Sequence, residues 1–260
     1  MTARAALEVR DLGVRFGGVS ALQGVSFAVS RGSVTSLIGP NGAGKTTAFN
    51  VITGFQRPSS GEVRHDGVHI TGWRPHRIAR RGLVRTFQKT SVFPALSVME
   101  NVLTGLHLRG KAGVAAAWLG RRRVREEERR LRGEALELMS FVGLDARRDD
   151  GAANLSYGDQ RLLELAVALA AAPRLLLLDE PASGMTSAEK IALTRLIRKI
   201  LEAGVTVFLV EHDMRLVMGI SDRVLVLSYG RLIADGTAAE VQNDPEVIRA
   251  YLGAGARADA

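Results

Sequence analysis

Residues 39–47 read Gly-Pro-Asn-Gly-Ala-Gly-Lys-Thr-Thr, with Gly39, Gly44, Lys45 and Thr46 in the fixed places of a phosphate-binding loop. The run Ser33 to Ile38 before it is β-branched and apolar and is predicted as a buried strand; Thr47 to Thr53 after it is predicted as a helix. Such a loop works only between those two elements. Glycines let backbone N–H groups converge on phosphate oxygens, and the helix N-terminus adds partial positive charge. The expected contacts to a nucleoside triphosphate run through Gly39, Pro40, Asn41, Gly42, Ala43, Gly44, Lys45, Thr46 and Thr47. Lys45 is expected to reach the β- and γ-phosphates, and the Thr46 hydroxyl to bind Mg²⁺.

A second group supplies the other half of a hydrolytic site. Arg174-Leu-Leu-Leu-Leu-Asp179-Glu180 is a buried strand pattern that ends in two carboxylates. In a parallel sheet that end is the edge where ligands bind. Asp179 is expected to hold Mg²⁺ through its water shell, and Glu180 to orient and polarise the attacking water. Taken alone, an apolar strand followed by Asp-Glu reads equally as a strand end with a solvated turn. Combined with Lys45 and Thr46 it supplies both the metal acid and the water-orienting group that phosphoryl hydrolysis needs.

Strands and helices alternate around these residues. Leu7 to Arg15, Ala21 to Val29, Glu62 to His65, Val84 to Phe87, Leu175 to Leu178, Val205 to Val210 and Arg223 to Leu227 are predicted as strands. Gln160 to Ala172, Ser187 to Leu201 and Asp213 to Gly219 are predicted as helices, and residues 91 to 154 are helical in pattern, with a break at Gly110 to Gly113. Alternation of this kind implies a mostly parallel sheet with helices on both faces, split in sequence by a helical insert. No internal repeat is evident.

At 260 residues and 46% hydrophobic the chain can bury a proper core. It has no cysteine, which excludes disulfides and thiolate metal sites. No uncharged apolar run reaches the length of a membrane span, and the N-terminus lacks the apolar centre of a signal peptide, so a cytosolic location is expected. The net charge of +8 permits nucleic acid or an anionic lipid surface as partner. Much of the excess lies in Arg121 to Arg132, where Arg122/Glu126, Arg123/Glu127, Glu126/Arg130 and Glu128/Arg132 are spaced as on a salt-bridged, solvated helix. Leu131, Ala135, Leu138, Met139 and Val142 supply that helix with one apolar face.

Further motifs stand in order along the chain. Leu155-Ser-Tyr-Gly-Asp-Gln160 resembles the signature of ABC-type ATPases, Gln88 in Thr86-Phe-Gln88 their Q-loop glutamine, and His212 in Glu211-His-Asp213 their switch histidine. Phe16 is similar to the aromatic that stacks on adenine, and Pro181 to Met185 occupies the D-loop position. The resemblance covers essentially the whole chain. It implies an α/β P-loop NTPase of ABC type, with a mixed-sheet core, an inserted helical subdomain and a small antiparallel N-terminal sheet. The implied layout is one domain over 1–260, with a core at 1–90 and 155–240, an insert at 91–154 and a C-terminal helix and tail at 241–260. Glu180, His212, Gln88 and Lys45 are then the catalytic set, Thr46, Gln88 and Asp179 the metal ligands, and Phe16, Ser156 and Gly158 further nucleotide contacts. Ser156 also begins a capping-box pattern with Asp159. In the family that capped end closes on the γ-phosphate of the other subunit, so Ser156 and Gly158 are expected to act in trans in a homo- or heterodimer holding two ATP molecules.

Two residues depart from the family's usual pattern. Asp159 stands where glutamine is common, and its charge opposes approach of a γ-phosphate, so Asp159→Gln is expected to raise the ATPase rate. Met185-Thr186 replaces the usual Leu-Asp, and Thr186 with Glu189 keeps a capping box while the D-loop carboxylate is lost. The stretches Phe16 to Leu22, Val84 to Gln88 with Val92-Phe93, Ala182-Ser-Gly184 and the tail Asp244 to Gly253 are most similar to the ATPases of branched-chain amino-acid importers. That implies separate membrane permease subunits, a second ATPase subunit, a substrate-binding protein, no nucleic-acid partner and a place on the cytoplasmic face of the inner membrane. Urea or amide importers and the lipopolysaccharide exporter share the tail. A soluble ABC ATPase acting on nucleic acid and a non-catalytic regulatory subunit are the competing classes; salt-dependent DNA binding that stimulates hydrolysis would mark the first.

Overall fold

The computed structural model describes residues 5–86, 92–106 and 121–255. The chain divides into two compact units, residues 1–85 with 174–183 and 190–260, and residues 86–173 with 184–189.

The first unit begins with β1 (Ala5–Phe16) and β2 (Val19–Ser30), followed by β3 (Val34–Ile38), α1 (Lys45–Ile52), β4 (Ser60–His65), β5 (Val68–His69), α2 (Pro75–Ala79) and β6 (Leu83–Arg85). β1 and β2 are long because their inward residues, among them Leu7, Val9, Leu12, Val25, Phe27 and Val29, all reach the core while the residues between them meet solvent. With β4 and β5 they make a four-stranded antiparallel sheet in the order β2-β1-β4-β5. α1 starts at Lys45, two residues earlier than predicted, because Gly44 (φ +106°) turns the loop directly into the helix. β5 was not foreseen: two residues carry no periodicity. Phe87, the expected end of β6, lies outside the described residues.

In the second unit α3 (Val98–Leu106), α4 (Arg121–Val142) and α5 (Tyr157–Ala170) pack together. α3 and α5 approach closely because Gly105 has no side chain; a Cβ there would lie 2.6 Å from the Val167 carbonyl oxygen. Asn101 is fully buried and ties the chain before α3, its Nδ2 donating to the Phe93 and Ser97 carbonyls and its Oδ1 accepting from the Phe93 amide. α4 buries Ala135, Met139 and Val142 on the predicted apolar face. Of the predicted ion pairs, Arg132 and Glu128 meet at 3.1 Å, and Arg130 adds contacts to Glu127 and Glu134. The expected break at 110 to 113 falls outside the described residues.

The chain then supplies β7 (Leu175–Asp179), α6 (Ser187–Glu202), β8 (Thr206–Val210), α7 (Met214–Ile220), β9 (Arg223–Ser228), β10 (Arg231–Gly236), α8 (Ala238–Gln242) and α9 (Pro245–Gly255). The larger sheet of the first unit runs β10-β9-β3-β8-β7-β6, parallel throughout except for β10. β3, β7 and β8 lie inside it and are buried at every residue, which fits the four leucines of β7 and Val207 to Val210 of β8; β3 also buries Thr35 and Ser36. β10 escaped the sequence reading because, at the sheet edge, its residues are only half-buried and alternate weakly. Phe208 of β8 packs at a tilt against Phe49 of α1 and Phe27 of β2, ring centres 5.0 and 5.6 Å apart. These rings join both sheets in one core.

Candidate active site

β3 ends at the phosphate loop, whose neighbours are the end of β9 and the turn after it. A Cβ on Gly39 (φ +147°) would stand 2.1 Å from the Leu227 carbonyl oxygen, so only glycine lets the loop leave the sheet here. The loop is closed by the Ala43 amide on the Pro40 carbonyl (3.2 Å) and the Gly230 amide on the Ala43 carbonyl (3.0 Å). No side chain caps the N-terminus of α1, which leaves the helix end to an anionic ligand. Lys45, at its first turn, is buried, and its ammonium donates to the carbonyls of Gly39 (2.6 Å) and Pro40 (2.9 Å). Burial lowers its pKa from the usual 10.5, partly offset by the charges of Glu180 and Asp179. Asn41 to Thr47 complete the loop and first helical turn; Phe16 ends β1 and is half exposed, as a stacking surface for a base needs to be.

α9 adds a contact that the motifs did not reveal. Tyr251 reaches the start of the loop and accepts a hydrogen bond from the Gly39 backbone, while burial pushes its phenol up to about 12.

The strand register brings the predicted carboxylates to this edge. Asp179 pairs with Val210 across β7 and β8, and the Glu180 amide donates to the Val210 carbonyl at 2.9 Å. Glu180 and the residues after Val210 are thus neighbours across two parallel strand ends. His212 Nε2 and Glu180 Oε1 lie 2.7 Å apart, the imidazole donating to the carboxylate. Glu180 has φ +50°, a left-handed conformation rare for a residue with a side chain, at the position expected to hold the reacting water. Asp179 is buried, and its Oδ2 accepts from Arg85 at 2.7 Å. Arg85 also donates to Asn50 Oδ1 (2.7 Å) and lies over the Phe49 ring. Sequence reasoning missed Arg85; its one signal was a cation inside an apolar strand two residues before Phe87.

A divalent cation fits this donor set. Among the described residues no group of three His, Cys, Asp or Glu side chains is placed to hold a metal. One buried carboxylate, Asp179, and one hydroxyl, Thr46, suit Mg²⁺, which keeps waters and takes its other oxygens from the phosphates.

His212 is followed by Asp213, whose side chain caps α7 by accepting from the amides of Arg215 (3.0 Å) and Leu216 (3.2 Å). Predicted as the first helical residue, it is the cap. The bond from Lys190 (2.7 Å) and those amides hold its carboxyl below the ordinary 3.8. A depressed carboxylate stabilises the fold above its unfolded value and loses that contribution as pH falls through the folded value. Asp213→Asn keeps a capping side chain and is expected to flatten the acid limb of melting temperature against pH below about 3.8. Asp213→Ala is expected to cost a further ~1 kcal/mol at neutral pH by urea unfolding.

In the second unit Ser156 caps α5, its Oγ accepting from the Asp159 amide at 3.1 Å. Only this half of the predicted capping box is seen at α5; the full reciprocal pair occurs between Thr186 and Glu189 at the start of α6. Gly158 is buried against Glu189, where a Cβ would stand 2.2 Å from the Glu189 carboxylate. Tyr157 stacks beneath Arg161, which donates to its hydroxyl (2.6 Å) and to Glu164 (2.7 Å). Gln88 lies outside the described residues.

Residues 22–183, more than half of the chain, match the ABC transporter family. The chain belongs to the ABC transporter family. Residues 231–257 match a second family, described as the branched-chain amino acid ATP-binding cassette transporter. Two curated relatives align over nearly their whole length. The high-affinity branched-chain amino acid transport ATP-binding protein BraF of Pseudomonas aeruginosa is 44% identical, covering 96% of this chain and 98% of the relative. LivG of Escherichia coli K12, of the same description, is 42% identical over 95% and 97%. Among solved structures, the ADP conformation of an ATP-binding cassette of an ABC transporter superposes with a TM-score of 0.84 at 32% identity, covering 96% of this chain and 99% of that one. This ABC cassette binds nucleotide and hydrolyses ATP. Among its described residues, no helix is long and apolar enough to cross a membrane.

Proposed function

We propose that this ABC ATPase hydrolyses MgATP to energise uptake of branched-chain or related hydrophobic amino acids through separate membrane subunits. The observation that carries the cargo assignment is the near full-length similarity, at 42–44% identity, to relatives named for that transport, together with the family match at residues 231–257.

In the proposed chemistry Phe16 stacks on the base, and Lys45 with the amides of the loop binds the β- and γ-phosphates. Mg²⁺, held by Thr46 and Asp179 and by Gln88 as third protein ligand, would neutralise charge that develops on the phosphates. Arg85 holds the Asp179 carboxylate by a hydrogen bond to its Oδ2. Glu180 accepts a proton from the attacking water as the water oxygen bonds to the γ-phosphorus and the bond from that phosphorus to the β–γ bridging oxygen breaks, ADP leaving with that oxygen. His212 holds the Glu180 carboxylate until nucleotide arrives and then donates to the γ-phosphate. Ser156 and Gly158 present the N-terminus of α5 to the nucleotide of a second ATPase subunit. Because Asp159 brings a negative charge to that end, Asp159→Gln is expected to raise the steady-state ATPase rate severalfold; an unchanged or lower rate would remove the repulsion argument.

The experiment is purification from membranes, at native expression, through a tag on this chain. Recovery of two multi-span permeases, a second ATPase and an amino-acid-binding protein is expected. A soluble complex with nucleic acid would overturn the transport reading and leave the ATPase chemistry intact.

A further inference from the structure

Glu211 is 3% exposed, and from the segment that carries His212 its carboxylate reaches the turn after Glu180. Its Oε1 accepts from the Ala182 amide at 2.7 Å, in the turn after Glu180. Its Oε2 accepts from the His212 amide at 2.9 Å and the Asp213 amide at 3.3 Å. The β7–β8 ladder reaches only to the Glu180 amide on the Val210 carbonyl. Beyond that bond the strands have diverged into turns, and the Glu211 carboxylate continues the connection.

We propose that Glu211 is a positioning residue for ATP hydrolysis, clamping the turn after Glu180 to the turn that carries His212 and so setting the separation of that pair. The inference rests on the reading of Glu180 and His212 as the hydrolytic pair. An ionised carboxylate is suited to this place because both its oxygens accept hydrogen bonds and neither donates. A glutamine of the same size turns an NH₂ group toward either Ala182 or the His212 and Asp213 amides, so one side of the clamp is lost. The capping of α7 by Asp213 fixes the far side of the His212 peptide, which leaves Glu211 to fix the near side.

The test compares the full-length chain with Glu211→Gln, His212→Ala and the double variant, measuring kcat and KM for MgATP. Glu211→Gln is expected to lower kcat about tenfold with KM within about twofold, as loss of one hydrogen-bonded side of the clamp implies. In the His212→Ala background the same change is expected to have little further effect, because residues acting as a unit are non-additive. An unchanged kcat in Glu211→Gln, or a full tenfold loss on top of His212→Ala, overturns the proposal. If His212→Ala itself leaves kcat unchanged, the catalytic reading of the pair fails, and the proposal with it. Should Glu211→Gln not fold, hydrogen exchange in the unaltered protein decides: slow exchange at the Ala182 and His212 amides is required by the clamp, and fast exchange at either overturns it.

Discussion

Glu180→Gln is expected to reduce MgATP turnover by a factor on the order of 10²–10⁴ while MgATP affinity changes by no more than a few-fold. The carboxylate sits one residue past Asp179, its amide hydrogen-bonded to Val210 and its backbone in the left-handed region. That conformation turns its side chain to His212 at 2.7 Å. A water placed for attack needs an acceptor for its proton, and glutamine keeps size and polarity but removes that basicity. Because the substitution leaves Lys45 and the loop untouched, the loss falls on kcat. Single-turnover hydrolysis and titration with a labelled nucleotide separate the two effects. Turnover within tenfold of the parent would move the proton acceptor elsewhere, and a matching loss of affinity would make Glu180 a binding residue.

Lys45→Met is expected to weaken MgATP binding about 10²-fold and to raise the melting temperature of the nucleotide-free protein. A hydrogen bond to a charged group contributes about 1.5–3 kcal/mol, which is roughly 10- to 150-fold in affinity, and Lys45 is placed for more than one. In the structure its ammonium is held by two carbonyls, Gly39 and Pro40, a neutral cradle for a buried charge. The lowered pKa means that the folded state disfavours the charged form more than the unfolded state does. That penalty is full below the folded pKa and vanishes as pH rises from there through 10.5. Methionine keeps the stem and removes the penalty, so stability and binding move in opposite directions. Calorimetric titration and thermal melting check the pair; a fall in melting temperature together with intact affinity would contradict the assignment.

Phosphate-loop geometry was legible in the sequence because its chemistry is local. Gly39 to Thr46 are consecutive, and glycine is demanded at positions 39 and 44 by backbone conformation and close approach alone. Asp179 and Glu180 were legible for a related reason: four leucines in a row fit a strand covered on both faces, and its end is a sheet edge. The full burial of β3, β7 and β8 follows the same logic. β5 and β10 were missed because one is two residues long and the other is a half-buried edge, so neither carries a strong period.

Tertiary structure decided the rest. Arg85 meets Asp179 across 94 residues, and Glu211 meets Ala182 across 29, distances over which no sequence period carries information. Both contacts depend on which strand lies beside which: β6 beside β7, and β7 beside β8. The sequence by itself determined where the glycine-turned loop between β3 and α1 falls and which acids end a buried strand at the sheet edge, since local spacing and backbone freedom fix those. Only the folded sheet decided how the acids are held, because the register of parallel strands brings Glu180, Glu211 and His212 to a common edge.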